Sequence, residues 1–212
     1  MVKGVMRAQV LIETGPIESR PLRLTDVPVP EPGPNQVRLR VSVCVACHTE
    51  LDEIEGRLPT TRPIVPGHQV VGRVDMMGSG VTDLAVGDRV GVAWFFSACG
   101  VCRFCHAGYE NLCPQAQWTG KDANGGYAEW MVAPMESAYR LPDRFADPQA
   151  APLLCAGVIG YRAFRLAGLQ DGETLALYGF GASAHIVIQV ANHCCPASRI
   201  FVLTSGESHL QL

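Results

Sequence analysis

Ala98-Cys99-Gly100-Val101-Cys102-Arg103-Phe104-Cys105-His106-Ala107-Gly108-Tyr109-Glu110-Asn111-Leu112-Cys113-Pro114 sets four thiols on one short loop, at positions 99, 102, 105 and 113. The spacing Cys-x2-Cys-x2-Cys-x7-Cys lets a loop wrap a tetrahedral ion with four thiolates and leaves no position for water, which is the closed shell of a structural zinc. Gly100, Gly108 and Pro114 provide the tight turns that wrapping requires. An iron–sulfur cluster uses the same ligands and stays open as an alternative. Four unrelated thiols would be the bland explanation, but two successive x2 gaps argue against it.

Outward from this lobe, residues 1 to about 150 read as a β-rich domain. Short runs of Val, Leu, Ile and Arg, such as Val37–Val45, Val70–Val74 and Arg89–Ala93, alternate with Pro and Gly. Pro28 to Pro34 reads as a loop leading into a strand, and Gly78-Ser79-Gly80 as a turn. After Leu153 the texture changes. An apolar stretch over 153–169 with helical spacing precedes a strand Thr174–Tyr178, a glycine turn, a helix over Ala182–Asn192 and a strand Arg199–Leu203. Strand, turn, helix and strand in that order open a parallel sheet covered by helices. The expected fold is α/β overall, with a β-rich domain over 1–153 and the first part of a coenzyme-type domain over 154–212. Two parallel strands cannot cover both of their faces alone.

Composition narrows the function. The chain has 212 residues, 48% of them hydrophobic and 17% charged, which suits a folded protein and excludes a disordered or fibrous one. Seventeen basic against twenty acidic residues give a net charge of −3 with no basic stripe, so neither nucleic acid nor an anionic membrane is an expected partner. No apolar run reaches the roughly 18 to 20 residues that span a bilayer, and the start Met1 to Arg7 lacks a signal-peptide core. The expectation is a cytoplasmic protein acting on a small molecule. In a reducing compartment nine cysteines read as metal-binding or catalytic rather than as disulfides.

A looser second set consists of Cys47-His48-Thr49-Glu50, Pro66-Gly67-His68-Gln69 and Cys155. Two thiolates and one imidazole are the three protein ligands of a catalytic zinc, whose fourth position is left for water or substrate oxygen. A lone Cys or His is more often packing, so this set gains weight only from its surroundings. Gly179-Phe180-Gly181-Ala182-Ser183-Ala184 is a G-x-G-x-x-A turn after a strand and before a helix, the context that makes it a dinucleotide site. The acidic residue expected about 20 residues later, which would select NAD, is missing. No acidic residue lies between Glu173 and Glu207, and Thr204 holds the position. No Arg stands there for a 2′-phosphate either, so NAD and NADP both remain admissible.

These motifs, with Val86-Gly87-Asp88-Arg89-Val90 and Gly125-Gly126-Tyr127-Ala128-Glu129, run in family order along nearly the whole chain. The sequence resembles the zinc-dependent alcohol dehydrogenases of the medium-chain dehydrogenase/reductase family. The resemblance implies a GroES-like catalytic domain followed by part of a Rossmann-like coenzyme domain, with two zinc ions per chain. Cys47, His68 and Cys155 would be ligands of the catalytic zinc, and Cys99, Cys102, Cys105 and Cys113 those of the structural one. Cys44, Cys194 and Cys195 match no ligand. Thr49 would hydrogen-bond the alcohol, Glu50 orient the zinc-bound imidazole and Trp94 wall the substrate pocket. His48 would contact the coenzyme pyrophosphate, with Gly179, Gly181, Ala182, Ala184 and Thr204 at the coenzyme. Three positions depart from the family: Asp52 where a relay His is common, Gln69 for a Glu, and Ile159 for a Thr that touches the nicotinamide. The first leaves the proton's exit route open.

The expected activity is oxidation of an alcohol to an aldehyde or ketone with hydride transfer to NAD or NADP. Family chains are considerably longer, so the competing expectation is a truncated, non-catalytic zinc-binding fragment of such an enzyme. A zinc-free quinone reductase of the superfamily is disfavoured by the full ligand complement. The family's coenzyme domain commonly supplies a dimer contact, so a homo-oligomer is also consistent with the resemblance.

Overall fold

The computed structural model describes residues 4–205. The end of the chain, including Gly206 and Leu212, which enter the reading of the second strand and of chain length, lies outside the described residues. The chain divides into two compact units between Leu154 and Cys155.

The first unit opens with an antiparallel hairpin of β1 (Val5–Leu11) and β2 (Leu22–Pro28), paired from Val5↔Pro28 to Leu11↔Leu22. The proline-rich loop leads, as expected, into β3 (Gln36–Cys44). A helix, α1 (His48–Ile54), follows at once and is capped by Cys47, whose backbone is extended. Next come β4 (Val70–Met77), β5 (Arg89–Val92) and β6 (Phe95–Ser97). The cysteine lobe holds the short α2 (Arg103–His106) and is closed by β7 (Gln117–Trp118), which pairs with β6. The unit ends with β8 (Trp130–Pro134), β9 (Ala138–Arg140), α3 (Asp147–Ala150) and a 3-10 turn over Ala151–Leu154.

Five strands form one antiparallel sheet in the order β8-β3-β4-β5-β9. Alternation along these strands buries Val37, Leu39, Val70, Val74, Val90, Val92 and Met131 on one face, the main core of the unit. Strand β3 slips register between Val41 and Val43, a bulge that bends it where the site begins.

In the second unit, α4 (Ala156–Ala167) ends at Gly168 in the left-handed conformation. Strands β10 (Thr174–Tyr178) and β11 (Arg199–Leu203) are parallel and joined through α5 (Ala182–Cys194), which runs slightly past the expected end. Phe164, Val187, Ala191 and Cys195 pack with Leu175, Leu177 and Ile200. A Cβ on Gly160 would come within 2.9 Å of Val187 Cγ2, so the small residue permits α4 to cross α5 closely. The opposite face of the two strands is open: Tyr178 is 84% exposed, Phe201 55% and Leu203 46%. Among the described residues no single helix is long and apolar enough to cross a membrane.

Three glycines join the strands to the site. Gly67 has φ +100°, and a Cβ there would sit 2.7 Å from the Tyr127 ring. Gly125 and Gly126 fold onto this turn through N–H bonds from Gly125 to Val65 O (2.7 Å) and from Gly126 to Gly67 O (2.9 Å). A Cβ on Gly125 would be 2.1 Å from Gly67 O, a backbone atom with nowhere to move. Gly125→Ala should therefore lower the stability of the first unit by about 1–3 kcal/mol. In urea unfolding, Gly181→Ala, whose Cβ meets nothing within 4 Å, should stay near the parent.

Candidate metal and coenzyme site

The site begins where α1 starts. The Cys47 N–H donates to Glu50 Oε2 at 2.7 Å, so the third helical residue reaches back to satisfy an orphan donor of the first turn. The other oxygen, Oε1, accepts the His68 N–H at 3.2 Å and lies 2.5 Å from His68 Nδ1. One carboxylate, 2% exposed, thus fixes the backbone of Cys47 and both the backbone and the ring of His68.

Glu50 faces Nδ1, which leaves Nε2 as the ring nitrogen on the side away from the carboxylate. His68 is 1% exposed, and one of its ring nitrogens and Cys47 Sγ lie within 4.8 Å of each other. Burial pulls the His68 pKa down, but the Cys47 thiol and the Glu50 carboxylate outweigh it and raise it to about 9. A buried imidazole nitrogen this close to a thiol suits a zinc ion.

Around this pair, Thr49 Oγ1 lies 3.7 Å from Cys47 Sγ. The Trp94 ring stands 6.0 Å from the His68 ring and is stacked by Trp118 at 4.6 Å, so the expected aromatic wall has two layers. Gln69 is buried and donates its amide to Val45 O at 3.3 Å. His48 is exposed at the helix start, with Nε2 3.7 Å from Asp52 Oδ1. Asp52 itself accepts Arg57 Nε at 2.6 Å. Cys155 is the first residue of the second unit, one peptide bond beyond the buried Leu154.

Sequence reasoning passed over Glu53. It is 1% exposed on α1, and neither carboxylate oxygen has a hydrogen-bonded partner. Burial, and then the Glu50 charge, push its pKa up to about 8. A charged residue three positions after Glu50 reads as solvated helix surface, and only tertiary burial reveals it.

The four lobe thiols come together as expected. Cys102 Sγ lies 3.5 Å from Cys105 Sγ, Cys113 Sγ 3.5 Å from Cys99 Sγ, and Cys99 Sγ 3.9 Å from Cys105 Sγ. Four sulfurs at about 2.3 Å from one tetrahedral ion are about 3.8 Å apart, so these separations match a single zinc, whereas thiolates on the separate irons of a cluster would stand wider. Backbone N–H groups are aimed at the sulfurs. Those of Val101 and Cys102, with the Cys113 thiol, overcome desolvation and lower Cys99 to about 6. Gln115 N–H reaches Cys113 Sγ at 3.3 Å. Lost solvation and the neighbouring thiols raise Cys105 to about 12. Four sulfurs crowded this closely suit a cation that all of them can ligate.

In the second unit, Gly179 adopts φ +86° and donates its N–H to Leu203 O at 2.7 Å, tying the turn to the end of β11. Gly181 caps α5, and Ala182 and Ala184 lie in its first turn. A Cβ on Gly179 or Gly181 would meet nothing within 4 Å, which leaves open space before the helix N-terminus. That suits a pyrophosphate. Thr204 follows the last residue of β11, and Ile159 is exposed on α4.

The fold is that of the medium-chain dehydrogenase/reductase family, a β-rich GroES-like unit followed by the opening of a Rossmann-like one. The chain belongs to the family described as Alcohol dehydrogenase GroES-like domain, which matches residues 33–143. It is 45% identical over 209 residues to a probable alcohol dehydrogenase, AdhA, of Mycobacterium tuberculosis, covering 96% of this chain and 60% of that one. It is 40% identical over 195 residues to an alcohol dehydrogenase of Geobacillus stearothermophilus, covering 91% and 57%. A cobalt- and zinc-bound thermostable alcohol dehydrogenase from Pyrobaculum aerophilum superimposes with a TM-score of 0.88 at 26% identity, over 98% of this chain and 62% of that one. The chain therefore spans about 60% of the length of these relatives.

Two measurements test the site. Cys102→Ser should abolish metal binding by the lobe and lower the thermal midpoint, because the bound ion contributes folding free energy; a melting curve unchanged after confirmed metal loss would contradict this. Glu53 binds its proton more tightly in the folded unit than at its ordinary value of 4.5. Stability should therefore fall as pH rises from about 4.5 to about 8. Between pH 5 and pH 8.5 the Glu53→Gln variant should gain on the parent by on the order of 2 kcal/mol in urea unfolding.

Proposed function

We propose that Cys47, His68 and Cys155 hold a catalytic zinc, that the four-thiol lobe holds a structural one, and that the protein carrying these residues oxidises an alcohol to an aldehyde or ketone with NAD or NADP. The observation that carries this reading is the Glu50 carboxylate, which holds Cys47 and His68 together and brings a buried imidazole nitrogen within 4.8 Å of the Cys47 thiol. Zinc there would supply a Lewis acid that acidifies an alcohol O–H, and the nicotinamide would supply the acceptor for the C–H electron pair.

The chain's own residues perform the remaining work. Thr49, one helical position past His48, offers the hydroxyl that accepts the alcohol proton. Glu50 holds the imidazole and is already committed to three contacts, so it is no relay. Asp52 is engaged with Arg57 and adjoins the exposed His48, which makes this pair the outlet to solvent. Trp94 and Trp118 exclude water and favour an apolar substituent on the substrate. The turn at Gly179 and Gly181 receives the coenzyme pyrophosphate. Thr204 places no carboxylate against a 2′-phosphate, so neither coenzyme is repelled.

The exposed face of Tyr178, Phe201 and Leu203 supports a second reading: these 212 residues alone retain zinc with little turnover, because the adenosine lacks most of its pocket. The test assays coenzyme reduction on primary, secondary and aromatic alcohols. It compares this chain with the same chain completed by the remaining coenzyme-domain residues of the Mycobacterium relative. The completed protein should turn over alcohols and lose at least about a hundredfold with Cys47→Ser, while the short chain should be weak. Turnover indifferent to Cys47→Ser would overturn the zinc reading.

A further inference from the structure

We propose that β5 is a remote clamp for the third ligand: Arg89 and Gly91 are positioning residues that fix where the chain delivers Cys155. This rests on the ligand set proposed above.

Arg89 opens β5 with a side chain 8% exposed. Its Nε donates to Asp147 Oδ1 at 2.7 Å, Nη1 to Pro142 O at 2.9 Å and Nη2 to Phe145 O at 2.7 Å. The planar fork thus holds the loop before α3 and the first residue of α3 at once, which a point charge would not do. The second Asp147 oxygen accepts the Ser42 hydroxyl. Ser42 is the residue that the β3 bulge leaves unpaired, between Val41↔Gly72 and Val43↔Val71. The bulge therefore presents one hydroxyl to the carboxylate that starts α3.

From Asp147 the chain runs through α3 and the 3-10 turn to Leu154, the residue before Cys155. Leu154 lies on Gly91, two residues along the same strand as Arg89. A Cβ on Gly91 would be 2.7 Å from Leu154 Cδ2 and 2.9 Å from Cδ1. Strand β5 thus pins both ends of the segment 147–154. The small core beneath it, Val71, Ala150, Ala151 and Leu154 with Val45 and Ala93 against them, reaches three segments near the site. Val45 precedes Cys47 by two residues, Ala93 precedes Trp94, and Val71 follows His68 by three. An error at Asp147 or Leu154 would displace Cys155 while leaving Cys47 and His68 in place under Glu50.

The test measures zinc release to a chromophoric chelator and the thiolate-to-cobalt absorption after cobalt substitution, in the full chain, for Arg89→Met, Gly91→Ala and Asp147→Asn. The three-ligand site should lose affinity about 10- to 100-fold, as remote partners of metal ligands do, with the four-thiolate lobe unchanged. Variants that fold and hold both metals like the parent would overturn the clamp, as would equal loss from both sites. Should Arg89→Met fail to fold, Ser42→Ala removes one hydrogen bond and should weaken the three-ligand site by about threefold, with no effect overturning the clamp. A parent chain that binds one zinc, unaffected by Cys155→Ser, would instead defeat the ligand set, and the clamp with it.

Discussion

A single buried carboxylate joins two parts of the first unit that are far apart in sequence. Glu50 accepts from the Cys47 N–H and the His68 N–H and abuts His68 Nδ1, so one side chain joins the start of a helix to the turn before a strand. Burying a carboxylate is unfavourable unless its oxygens are satisfied, and here three contacts satisfy them. The same contacts cap the helix and set which histidine nitrogen faces the carboxylate. Stability and metal chemistry consequently depend on the same geometry.

That geometry needs a close approach of backbones. Gly67 adopts a conformation favourable only to glycine, and Gly125 and Gly126 press onto it, with Tyr127 N–H donating to Pro66 O at 3.0 Å. Two motifs far apart in sequence, Pro66-Gly67-His68 and Gly125-Gly126-Tyr127, are thus halves of one latch. The latch holds His68 against Glu50, while the clamp at Arg89 and Asp147 holds the segment that leads to Cys155. Both are built on strands of the five-stranded sheet, which is rigid because its inward face is filled by branched aliphatic side chains.

Local parts were the most legible in the sequence. The lobe could be read because its four ligands and its turn residues sit on one loop, and the β10–α5–β11 unit because period and glycine placement agree. The strand ranges Thr174–Tyr178 and Arg199–Leu203 match the pattern residue for residue. What spacing does not carry is tertiary pairing. Helix α1 is too short to announce itself, the β1–β2 hairpin lacks a tight-turn signature, and the Trp118 layer behind Trp94 depends on how the lobe closes. Glu53 looks like surface, and nothing in the string links Arg89 to Asp147 or Ser42. Residues joined by backbone neighbourhood were readable; residues joined by packing were not.

The central question for this site is which nitrogen of His68 meets the metal. Loading the chain with cadmium-113 and recording long-range nitrogen NMR spectra of the histidine rings addresses this directly. The proposed site predicts cadmium coupling to Nε2 of His68, with Nδ1 protonated toward Glu50 and that proton perturbed in Glu50→Gln. Coupling at Nδ1, or a His68 ring indifferent to both cadmium and Glu50→Gln, would contradict the role given to Glu50.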